Sequence, residues 1–131
     1  MVELTSSPVR HKIDVHVQEC VVSVLNSILN PSITSFTLPL GVIRNVKVVF
    51  PRGCNRHISL LVKQHGSQWL PSVAGSVFEE DPSGIPLDFN VYHDVWDGQQ
   101  DFDIVAWNDA IDVYWDHTIT VYFTMELSEV L

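Results

Sequence analysis

Cysteine is scarce in this chain. Cys20 and Cys54 are its only two, too few for a disulfide framework and without the paired spacing of a metal site. The expectation is two reduced, partly buried thiols. Long apolar runs are missing too. No stretch reaches the roughly eighteen apolar residues of a membrane span, so no membrane partner is expected. The opening Met1-Val2-Glu3-Leu4-Thr5-Ser6-Ser7-Pro8 is polar and has no secretory-signal core. The chain is therefore expected to stay in the cytosol or to be assembled there into something larger.

Basic residues run out early. Arg10, Lys12, Arg44, Lys47, Arg52, Arg56 and Lys63 are all there are, none follows Gly66, and the formal net charge is −9. Phosphate backbones are bound through Lys and Arg that displace counterions, so nucleic acid is not an expected partner. The same asymmetry would suit head-to-tail association of basic and acidic sides; the alternative is plain solubility.

Catalytic signatures are also lacking. No HExxH, GxSxG, Walker or GxGxxG pattern occurs, so neither an enzyme nor a cofactor is expected. Asp94, Asp97, Asp101 and Asp103 superficially resemble a calcium loop. Counted from Asp94, however, the sixth position is Gln99 rather than glycine, and no glutamate follows in this stretch. A solvated acidic loop is expected instead. Asp109, Asp112, Asp116 and His117 form a second cluster, where His117 is read as a structural residue opening a strand. Trp69, Trp96, Trp107 and Trp115 keep a carbohydrate-binding sandwich open as an alternative, although large aromatics more often fill cores and interfaces.

What the chain does have is β patterning. With 131 residues, 46% apolar and 18% charged, it has the composition of a folded protein of single-domain size. Ile119, Val121, Phe123, Met125 and Leu127 alternate with Thr118, Thr120, Tyr122, Thr124 and Glu126, a strand with one face on a core. Ile85 to Val91 and Phe102 to Ala106 alternate likewise, and 42–50 and 57–64 are apolar runs of strand length. Pro51-Arg52-Gly53, His65-Gly66-Ser67, Asp81-Pro82-Ser83-Gly84 and Asp97-Gly98 supply turns between them. Short strands between regular turns predict an all-β fold, an antiparallel β-sandwich of jelly-roll-like kind.

The first third reads differently. Ile13, Val15 and Val17 alternate as in a strand. Val21, Val24, Leu25, Ile28 and Leu29 then fall at helical spacing up to Asn30-Pro31. A short helix is expected there, with a continuing strand as the alternative, because valine-rich helices are poor. This divides the chain into an N-terminal arm, 1–32, and a β-sandwich domain, 33–131. The arm residues Ile13, Val15, Val17, Val21, Val24, Leu25 and Ile28 carry more apolar surface than a free tail exposes, so they are expected to bind a partner or pack on the sandwich.

The run Gly41-Val42-Ile43-Arg44-Asn45-Val46-Lys47-Val48-Val49-Phe50-Pro51-Arg52-Gly53-Cys54, followed in order by Gln68-Trp69-Leu70-Pro71, Trp107-Asn108-Asp109 and His117-Thr118-Ile119-Thr120-Val121-Tyr122-Phe123, resembles small virion structural proteins of tailed bacteriophages. The resemblance covers about residues 33 to 127 and departs at the N-terminal arm. It implies a jelly-roll-like head or tail component made in the host cytoplasm, such as a capsid cement (decoration) protein. The partners it implies are the major capsid protein and further copies of the chain, as a trimer first and a dimer second. A tail or adaptor component is the alternative. It implies no catalytic residue.

Overall fold

The computed structural model describes residues 9–52, 54, 57–109 and 116–130. Eight strands follow one another: β1 (Val9–Val22), β2 (Ser32–Thr37), β3 (Gly41–Val49), β4 (Ile58–Gln64), β5 (Ser67–Leu70), β6 (Leu87–Val95), β7 (Asp101–Asn108) and β8 (His117–Val130). They form two four-stranded sheets, ordered β1-β8-β3-β6 and β2-β7-β4-β5, and every pairing is antiparallel. The first strand pairs with the last, the second with the seventh, the third with the sixth, and the fourth with the fifth. One long hairpin is thus rolled into two layers, the jelly-roll-like winding. Its tip is the β4–β5 turn, where His65 (φ 49°) and Gly66 (φ 86°) both take the left-handed backbone that a two-residue hairpin demands.

The apolar rows meet between the sheets. Ile119, Val121, Phe123 and Met125 of β8 are fully buried, opposite Phe102, Ile104 and Ala106 of β7. Phe36, Phe102 and Phe123 lock the layers together, with ring centroids 5.3 to 6.5 Å apart. Aromatic contacts of this kind add to what simple burial contributes.

Strand β3 breaks its alternation at a bulge between Ile43 and Asn45, seen against both neighbours. Inward residues therefore fall at Ile43, Val46 and Val48, while the adjacent Arg44 and Asn45 both turn outward. Two polar side chains land on the outer face as a result.

Two expectations need correction, the helix after Val22 and the strand reading at Ile85, and the strand expected within the N-terminal arm finds its place in a sheet. No helix occurs among the described residues: β1 runs through Val22, and 23–30 is a series of turns closed by Asn26 N–H to Ser23 O and Asn30 N–H to Ser27 O, each 3.0 Å. The Asn26 side chain accepts from Ser23 N–H at 2.8 Å, a local bond that competes with helix. Residues 9–22, assigned to an arm, are the edge strand of the first sheet, paired with β8 along their whole length. Ile85 lies outside any strand and is exposed, because β6 starts at Leu87.

Candidate assembly surface

Strand β1 is built the opposite way from β8. Its even-numbered residues Asp14, His16 and Gln18 turn inward and are half-buried, followed by the fully buried Cys20 and Val22. Its apolar row points to solvent: Ile13 is 62% exposed, Val15 50%, Val17 48% and Val21 51%. The connection to β2 continues the pattern with exposed Val24, Leu25, Ile28 and Leu29, and Ile33 follows on β2. Of fourteen large apolar side chains exposed among the described residues, nine lie between Ile13 and Ile33. This density makes the stretch the candidate assembly surface. Of the seven arm residues expected to bind a partner, Ile13, Val15, Val17 and Val21 share the outer face of β1, whereas Val24, Leu25 and Ile28 are exposed on the connection to β2, as is Leu29, and Ile33 is exposed on β2 of the other sheet.

The rest of the outer face of this sheet is occupied by contacts of its own. Arg44 Nη1 donates to Glu126 Oε2 at 2.5 Å, and its guanidinium lies 5.2 Å from the centre of the Tyr92 ring. Asn45 donates to Asp88 at 2.7 Å and to Asn90 at 3.2 Å, and the Lys47 ammonium sits 5.6 Å from the Tyr122 ring centre. The Arg44–Glu126 pair brings the basic half of the chain against the acidic half. Although Arg44 and Lys47 come from the basic half of the chain, β3 is seated between β6 and β8, which carry the acidic half.

At the far edge, Trp69, Leu70, Pro71, Phe78, Phe89 and Val91 line an apolar groove of about 500 Å³. The indole of Trp69 stacks on His93, so one face of this ring is already covered. Trp107 is buried, with Nε1 donating to Asp109 at 2.9 Å, and Trp96 is exposed on the β6–β7 turn. Trp115 lies outside the described residues.

The acidic clusters do not converge. Asp94 projects from the outer face of β6, whereas Asp103 lies on β7 in the other sheet and accepts from Ser35 Oγ at 2.6 Å. Among the described residues no three His, Cys, Asp or Glu side chains are grouped to hold a metal ion. Asp112 lies outside the described residues. His117 is 3% exposed at the start of β8.

No protein-family model matches this chain, and no curated protein does. Among solved structures it is similar to a chain of a cyanophage Pam1 capsid asymmetric unit, at 17% identity and a TM-score of 0.45, over 97% of this chain and 91% of that one. A score this low carries no functional inference.

Proposed function

We propose that this chain is a virion structural protein of a tailed phage, a cement (decoration) subunit that stabilises the outer shell of the capsid. The observation that carries this reading is the outward apolar row Ile13, Val15, Val17 and Val21 on an edge strand. A free monomer gains nothing from that arrangement, and a subunit of an assembly uses it as contact area. The ordered resemblance across residues 33 to 127 supports the placement in a virion. The two-sheet body supplies a rigid frame. A net charge of −9 suits a position outside the shell, away from packaged DNA. The partners are the major capsid protein and other copies of this chain, and the protein is made in the host cytoplasm before assembly.

Binding to intact shells stabilises them by mass action. The test compares phage particles with and without this protein under thermal and osmotic challenge, with mass spectrometry of purified particles to establish its presence. Earlier rupture of particles lacking it is the expected result. Equal survival overturns the cement role, and absence from purified particles overturns the virion reading. Immunogold labelling on the tail rather than the head would move the protein to the tail or adaptor class.

A further inference from the structure

We infer that two copies of this chain join through β1, antiparallel about a two-fold axis at Val15, to make one continuous eight-stranded sheet. The inference deepens the assembly reading by naming the partner and the register of that contact.

The edge is suited to another strand. β1 pairs with β8 without a bulge, and no proline interrupts it, so two common guards against edge pairing are missing. Val15 N–H donates to the Asp14 side chain at 3.0 Å, and Val21 C=O accepts from Ser32 Oγ at 2.7 Å. Odd-numbered residues of β1 thus turn their backbone groups away from β8. Ser32 covers the edge at Val21, and within 11–19 the Val15 N–H exchanges its local bond to Asp14 for the carbonyl of the partner's Val15 on pairing.

The side chains select the register. Extending the sheet across a two-fold axis requires opposed residues to share a face, so odd must meet odd and even must meet even. With the axis at Val15, Val15 faces Val15, Ile13 faces Val17, and His11 faces Glu19. On the inner side Asp14 faces His16, and Lys12 faces Gln18. Every apolar residue of the outward row between 13 and 17 meets an apolar one, and each imidazole meets a carboxylate. Neighbouring registers fit worse. An axis at Asp14 sets two carboxylates against each other, one at His16 sets Ile13 against Glu19, and one at Val17 sets Val15 against Glu19. Like charges directly opposite are destabilising, and apolar pairs are favourable.

Cysteine scanning reads the register directly. In this register the Val15 Cα atoms of the two copies are about 5.5 Å apart, inside the roughly 4.4–6.8 Å that a disulfide spans. Two Ile13 positions, or two Val17 positions, are separated by about 13 Å along the strands. Val15→Cys should therefore oxidise to a covalent dimer. Ile13→Cys and Val17→Cys should not do so alone, but the double variant should. Native mass measurement should show a dimer for the wild type, and a folded monomer for Val15→Asp, which sets two carboxylates together on the axis. A wild type that stays monomeric, or a cross-link from Ile13→Cys alone, overturns the proposal. So does a cross-link in assembled particles from Val15→Cys to a different protein, since that makes a foreign strand the occupant. A monomer that is still found in particles leaves the virion reading standing, and a dimer absent from particles leaves the pairing standing.

Discussion

The imidazole of His93 lies against the indole of Trp69, with 4.4 Å between ring centroids, and its Nε2 is 2.7 Å from Gln64 Oε1. Gln64 Nε2 donates to Gln99 O at 2.9 Å. Its Oε1 is therefore the acceptor, and His93 carries its proton on Nε2. This contact joins β6 of the first sheet to β4 and β5 of the second at the far edge of the sandwich.

Burial pushes the His93 imidazole below its ordinary value of 6.5, outweighing the upward pull of Asp94. The folded protein thus holds the ring neutral, while the unfolded chain takes up a proton near its ordinary value. Stability is full above about pH 6.5 and falls as the pH drops through the lower folded-state value. His93→Gln should flatten the acid side of a plot of Tm against pH. An identical slope in both proteins would clear His93 of this role.

Both native cysteines are inaccessible. Cys20 and Cys54 are fully buried, and the Cys54 thiol is pushed up to about 12, first by burial and then by Glu80. A thiol is reactive as the thiolate and when reachable. Neither should react with an aromatic disulfide reagent at pH 8 until the protein unfolds, when both should react. Rapid labelling of the native protein would contradict this.

Gly41 opens β3 where no side chain fits. A Cβ there would lie 2.7 Å from Glu126 O and 2.8 Å from Leu127 Cδ2, at a φ of +157°. Gly41→Ala should cost about 1–3 kcal/mol, because the obstacle includes backbone of the paired strand. Urea denaturation gives the value, and an unchanged midpoint would mean that β8 yields more easily than its pairing indicates.

Asp109 collects two donors, the buried Ser59 hydroxyl and the Trp107 indole N–H. Asp109→Ala leaves both without this acceptor and should destabilise by roughly 2 kcal/mol. Ser59→Ala removes only one donor to a solvent-facing carboxylate and should cost less. Equal losses in the two variants would show that the carboxylate, rather than the buried hydroxyl, carries the cost.

Much of this was legible in the residues alone. Between Thr118 and Leu127 of β8 one row is wholly apolar and the other rich in threonine, so the strand, its inward face and the two-sheet architecture follow from side-chain chemistry. The turns at His65-Gly66 and Asp97-Gly98 follow from the backbone freedom that glycine supplies. The short strands β2 and β5 were not legible, because four to six residues of mixed polarity show no decisive period. Nor was the absence of a helix after Val22, since valines and leucines at helical spacing do not reveal whether a core lies beside them. The apolar character of Ile13, Val15, Val17 and Val21 makes them candidate contact residues in sequence. That they face solvent was decided by pairing. Opposed residues on antiparallel strands share a face, and Cys20, Gln18, His16 and Asp14 stand opposite Ile119, Val121, Phe123 and Met125. Because those four β8 residues fill the core, the even row of β1 must turn inward, and the apolar odd row is left outside.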